Sequence, residues 1–231
     1  MKLTAVKRWV KVLLRRDVFI RPQIQCPTLH FGDPEYDWTF CPEGLGRNSI
    51  VYSFGIGRDI SFDLALLENY QLQVFAFDPT PKSIAWLKTQ SLPQNFHFHP
   101  YGLSDHDGSI EFYETHGAES VSYSEWRVPK DRNNSQPLVL EVRRLSTICA
   151  LFGHTHIDVL KMDIEGSEYR AIPDFLEARV SIGQILIEFH HRFGNIGPAK
   201  TLEAVKTLNR YGYKIFDVSP NGCEYALIRE G

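Results

Sequence analysis

Cysteine is scarce in this chain, long apolar runs are missing, and neither sign of charge dominates. Each shortage excludes something. The four cysteines, Cys26, Cys41, Cys149 and Cys223, are scattered with no CxxC pair. That spacing is neither a zinc ribbon nor a disulfide framework, and it fits a reducing, cytoplasmic compartment. No stretch reaches the roughly 18 consecutive apolar residues of a membrane-spanning helix. Lys and Arg number 25 against 28 Asp and Glu, a formal net charge of −3. No whole-chain field therefore draws the molecule to nucleic acid. Repeats and low-complexity tracts are also missing. What remains is ordinary: 231 residues, 43% hydrophobic and 23% charged, long enough for one domain with a sizeable core.

Residues 1–47 read differently from the rest. MKLTAVKRWVKVLLRRDVFIRP sets Lys2, Lys7, Arg8, Lys11, Arg15 and Arg16 opposite Val6, Trp9, Val10, Leu13 and Leu14 at helical spacing. Such a helix either packs on the domain with its basic face in water, or lies on an anionic membrane or partner, giving peripheral association through residues 1–20. Four prolines and three glycines between 21 and 48 predict an irregular connection, with Tyr36, Trp38 and Phe40 covering the core.

From residue 48 to 231 the pattern alternates. SIVYSF, LQVFAFD, FHFHP, HIDVLKMDIEG and QILIEFH read as buried strands. Between them, RDISFDLALLENY, PKSIAWLKTQ, SEYRAIPDFLEAR and residues 198–211 have helical periodicity. A polar stretch, 114–136, is inserted between extra strands. YKIFDVSPNGCEYALIRE predicts a closing hairpin turning at Asn221-Gly222. Strand–helix alternation implies an α/β fold, a mostly parallel sheet covered on both faces, and the hairpin adds an antiparallel last strand.

Ligands of such sheets bind at the carboxyl ends of strands. There the first strand of the repeat ends in Gly55-Ile56-Gly57, where missing β-carbons allow a sharp turn and a close backbone approach. Asp78 ends the next strand, 21 residues beyond Gly57, the place of an acid that binds a ribose diol. A dinucleotide fingerprint needs a third glycine where this chain has Ile60, and Asp59 would repel a pyrophosphate. Asp59 is either a plain helix cap or a partner for the ammonium of S-adenosylmethionine.

A second group of residues gathers at later strand ends. Asp163 and Glu165 leave the fourth main strand, and Glu188, His190 and His191 the fifth. Like charges this close are costly unless function uses them. His190 is a candidate general base, with Asp163, Glu165 or Glu188 orienting it. The same oxygens can hold a divalent cation, which is not expected because no third oxygen ligand is fixed by spacing.

LKMDIEGSEYRAI at 160–172 resembles the signature of the FkbM-type methyltransferases, approximately K-[ILM]-D-[VI]-E-G-x-E. VYSFGIGRDISFD and VFAFDPTP are similar to that family's cofactor-binding segments, and RRLSTI precedes the signature as it does there. The resemblance runs from about residue 48 to 229. It implies a class I methyltransferase fold, a Rossmann-like three-layer sandwich on a seven-stranded sheet whose last strand is antiparallel. It also implies S-adenosylmethionine as donor and, usually, an oxygen of a small hydroxylated acceptor such as a sugar or polyketide. Ser104-Asp105 then stand where such enzymes contact the adenine amine, or form a plain polar turn. Ser53 departs from the pattern: class I enzymes often carry an acid there, so the methionine end must be held differently. Two other readings are a metal-dependent nucleotide-sugar glycosyltransferase, suggested by Asp163-Ile164-Glu165, and a non-catalytic nucleotide-binding protein.

Overall fold

The computed structural model describes residues 11–14, 16–115, 122–126, 136–193 and 195–230. Most of the basic N-terminal stretch therefore lies outside the described residues, and with it the expected amphipathic helix and its membrane contact. Arg127 and Lys130 of the polar insertion lie outside them too. No helix among the described residues is long and apolar enough to cross a membrane.

Two short strands, β1 (Leu29–Phe31) and β2 (Trp38–Phe40), form an antiparallel pair ahead of the main sheet. The chain then runs β3 (Ile50–Phe54), α1 (Ser61–Tyr70), β4 (Gln73–Phe77), α2 (Pro81–Leu87) and β5 (Phe96–His99). A side sheet follows, built from β6 (Gly102–Leu103), β7 (Gly108–Glu114), β8 (Tyr123–Ser124) and β9 (Leu138–Arg143). The remaining elements are α3 (Leu145–Phe152), β10 (Ile157–Met162), α4 (Glu168–Glu177), β11 (Ile182–Glu188), α5 (Pro198–Arg210), β12 (Tyr213–Val218) and β13 (Glu224–Arg229).

The main sheet has seven strands in the order β12-β13-β11-β10-β3-β4-β5. All pairings are parallel except those of β13 with β11 and β12. The class I methyltransferase sheet implied by the sequence is therefore present, antiparallel last strand included. Its strands are apolar on both sides because both faces are covered. Tyr52, Phe54, Leu160, Met162, Ile185 and Ile187 enter one core, while Val51, Val159 and Leu186 enter the other.

Local chemistry sets the ends of the elements. α1 starts at Ser61 rather than at Arg58, because Arg58–Ile60 are spent in the turn after β3. There the Asp59 amide donates to the Ile56 carbonyl, and the Asp59 carboxylate accepts from the Ser61 amide at 3.0 Å. Pro81 opens α2, where a missing N–H costs nothing.

Residues 17–41 lie against the sheet. Trp38 and Phe40 are buried as expected, but Tyr36, in the turn between β1 and β2, is exposed at the cavity rather than covering the core. Gln184 of β11 exchanges two 2.9 Å hydrogen bonds with the backbone of Cys41. Asp17, fully buried, takes hydrogen bonds from His191 at 2.9 Å and from Arg192 at 2.8 Å. This cluster ties the N-terminal segment to the loop after β11.

Candidate active site

A cavity of about 720 Å³ opens at the carboxyl ends of β3, β4, β10 and β11. One side is formed by Gly55-Ile56-Gly57 and Asp78, with Gly102, Leu103 and Phe112 beyond them. The other side carries Asp163, Glu165, Glu188 and Glu224. Gly55, Gly57, Asp59, Asp78, Asp163, Glu165 and Glu188 thus share one crevice, because parallel strands end on the same edge, whereas His190 and His191 do not line it and His191 turns away to Asp17.

The glycine turn does more than leave room for a ligand. Gly55 has φ +76°, and a β-carbon there would stand 1.7 Å from the Asp163 carbonyl oxygen. The end of β3 therefore packs directly on the backbone leaving β10. Gly57 is also left-handed, with φ +53°, and its amide donates to Asp78 at 3.0 Å. The other Asp78 oxygen accepts from the Thr80 amide at 2.8 Å and the Thr80 hydroxyl at 2.6 Å. Burial pushes the Asp78 carboxyl above the usual carboxylate range, and these bonds offset only part of that.

Ser104 and Asp105 are not brought to the cavity wall. The Ser104 hydroxyl donates to Asp105, and Asp105 pairs with His106 at 2.8 Å. Asp59 does line the cavity, with its carboxylate also engaged by Ser61.

The acidic side is held together by one histidine. His190 Nε2 lies 3.6 Å from Asp163 and 3.4 Å from Glu165, while Nδ1 lies 3.2 Å from Glu168. Burial alone would depress this imidazole, but the carboxylates of Glu168, Glu165 and Asp163 outweigh it. His190 is held well above its ordinary range. It is only 8% exposed and does not line the cavity; Asp163 and Glu165 stand in front of it. His190, expected from sequence as the general base, is thus placed behind two carboxylates and off the cavity wall.

Glu188 is better placed. It lines the cavity, and burial, then the charge of Asp163, pushes its carboxyl up to about 8, with His190 pulling the other way. Asp163, Glu165 and His190 each offer a ligand atom within 4.8 Å of the others, a set that can hold a divalent cation.

Sequence reasoning passed over two residues here. Glu168 is fully buried and accepts hydrogen bonds from the amides of Gly166 at 2.8 Å and His190 at 2.9 Å. Its signal was the last acid of the K-M-D-I-E-G-S-E motif. Asp63 in α1 is 1% exposed and lines the cavity. A buried acid on the inner face of a helix gives no such signal.

Ser124 and Trp126 reach the turn that carries Glu165, a left-handed residue with φ +51°. Ser124 Oγ donates to the Glu165 carbonyl, and Trp126 Nε1 to the Gly166 carbonyl at 3.1 Å. A β-carbon on Gly166 would meet the Trp126 ring at 2.7 Å, which explains the glycine of the motif.

A seven-stranded sheet of this order, with a glycine turn and a following acid at the strand ends, is the fold of the class I methyltransferases. The match of residues 45–215 to the methyltransferase FkbM domain shows that the chain belongs to that family. It is 30% identical over 142 residues to the human "Probable methyltransferase-like protein 24", covering 61% of this chain and 32% of that protein. It is 28% identical over 110 residues to "2-O-methyltransferase NoeI" of Sinorhizobium fredii, covering 42% of this chain and 44% of that protein. The chain thus spans less than half the length of these relatives. Among solved structures, the fibrillarin pre-rRNA processing protein of Methanococcus jannaschii aligns with TM-score 0.47 and 12% identity, over 92% of this chain and 87% of that one.

Proposed function

We propose that the protein transfers a methyl group from S-adenosylmethionine to a hydroxyl of a small, uncharged acceptor such as a sugar or polyketide. The observation that carries this reading is the shared cavity, with a nucleoside-sized cradle on one side and a poised carboxyl on the other. The cradle suits the donor. Gly55-Ile56-Gly57 brings backbone to the cavity, Asp78 keeps a buried carboxylate beside it, and Leu103 and Phe112 give a flat apolar wall for a purine. When bound, S-adenosylmethionine would supply an electrophilic methyl on its sulfonium, the C–S bond breaking to release S-adenosylhomocysteine as the bond to the acceptor oxygen forms.

The rest of the work falls to the chain. Glu188, with a carboxyl near 8, takes the acceptor proton as the oxygen attacks, because a base works best when its pKa lies near the working pH. Asp163 and Glu165 accept hydrogen bonds from the acceptor's hydroxyls and fix its approach, and His190 keeps those two charges from repelling each other. Acids at this end of the cavity disfavour phosphate- or carboxylate-bearing acceptors. "2-O-methyltransferase" in the name of one relative favours oxygen as the atom methylated.

Donor binding and transfer can be tested separately. S-adenosylmethionine should raise the melting temperature, because a ligand that binds only the native state stabilises it, while NADH or a UDP-sugar with Mn(II) should not. Methyl-labelled donor should then mark neutral hydroxylated acceptors in preference to acidic ones. Protection by a UDP-sugar in place of the donor would sink the reading.

A further inference from the structure

Ser53 leaves the methionine end of the donor without its usual acid, and the structure offers another. In the sheet, Ser53 of β3 is the register partner of Lys161 of β10. Both side chains are buried, at 0% and 5% exposure, and Lys161 lines the cavity. Beside them Asp63 reaches in from the first turn of α1, 1% exposed and also on the cavity wall.

The two charged groups are close enough to feel each other, since the Lys161 charge acts to lower the Asp63 carboxyl. They nonetheless do not satisfy each other. The Lys161 ammonium sits 3.4 Å from the Gly55 carbonyl oxygen and 5.0 Å from the centre of the Trp38 ring. Asp63 Oδ1 is buried with no hydrogen-bond partner. Burial pushes the Asp63 carboxyl up to about 6 despite the lysine. A buried carboxylate oxygen without a donor is expensive, and a cavity wall is where a ligand can supply one.

We infer that Asp63 and Lys161 form the subsite for an α-amino-acid zwitterion, Asp63 taking the ammonium and Lys161 the carboxylate. The inference rests on S-adenosylmethionine as the donor and says which residues hold its methionine end. Charge complementarity carries it: a buried acid and a buried base line the same wall, and the buried Ser53 hydroxyl beside Asp63 is the one group there that helps to stabilise its charge besides the lysine and its own amide. A nucleotide donor has no ammonium for Asp63 and places anionic groups against it.

Calorimetry with three ligands tests this without turnover. S-adenosylmethionine and S-adenosylhomocysteine carry the zwitterion; 5′-methylthioadenosine has the same nucleoside and lacks it. Asp63→Asn and Lys161→Met should each lose about 10- to 100-fold in affinity for the first two, as expected when a charged hydrogen bond goes. Both should bind 5′-methylthioadenosine as the unaltered protein does, which also shows that the variants are folded. Equal losses for all three ligands, or none for any, would overturn the subsite. If the unaltered protein bound none of the three, the donor assignment would fail instead, and the subsite with it.

Discussion

Replacing Gly55 by alanine separates two reasons for a glycine in the first loop. The new β-carbon would lie 1.7 Å from the Asp163 carbonyl oxygen and 2.7 Å from its carbon, both backbone atoms that no rotamer change can move aside. Left-handed backbone at φ +76° adds about 1–2 kcal/mol for any L-residue. Overpacking against backbone belongs at the upper end of the roughly 1–3 kcal/mol range. Together they predict about 3–5 kcal/mol. Gly44 is the control, with φ +80° and nothing within 4 Å of its β-carbon position, so Gly44→Ala should cost only the conformational part. At about 2–4 °C per kcal/mol for a chain of this size, Gly55→Ala should melt roughly 6–20 °C low, well below Gly44→Ala. Thermal and urea unfolding of both variants would measure the gap. Equal melting temperatures would refute the claim that the end of β3 is packed on the β10 exit, and with it the account of how Asp163 is placed.

Glu188→Gln should cost roughly 10²–10⁴ in turnover while donor affinity is kept, and turnover of the unaltered enzyme should rise through about pH 8; a flat profile would remove Glu188 as the base. His190 has a folded pKa above its unfolded value, so its stabilisation is complete below about pH 6.5 and is lost as pH rises through the folded value. Melting temperature should therefore fall on the alkaline side, and His190→Gln should blunt that fall. Ser124→Ala frees the Glu165 carbonyl and should lower kcat with little change in donor affinity, whereas Ser124→Thr keeps the hydroxyl and should restore it. Chelators should leave turnover unchanged, because Asp163 and Glu165 already have His190 as a close partner; abolition by a chelator and recovery with Mg(II) would reverse that.

The sequence alone carried the sheet and its ligand edge. Short, largely apolar runs such as IVYSF and QILIE, alternating with helical stretches, read as strands buried on both faces, and the Asn221-Gly222 turn predicts an antiparallel end. Gly55, Gly57, Asp78 and Asp163 stood out for the same reason, since strand ends of a parallel sheet meet on one edge and glycine is conspicuous in an apolar run. Tertiary structure decided how these residues divide the work. Period-2 alternation stops where β10 ends at Met162, so it could not place Glu165, whose left-handed backbone is held by Ser124 some 41 residues away in the insertion. Nor could it show that His190 lies behind the carboxylates, because depth below a surface depends on α4 and on Glu168 packed beneath it. Asp63 and Lys161 are 98 residues apart in the chain and share a wall only because α1 folds back over β3 and β10. Charge on a linear chain has no partner until folding removes the water that would have screened it.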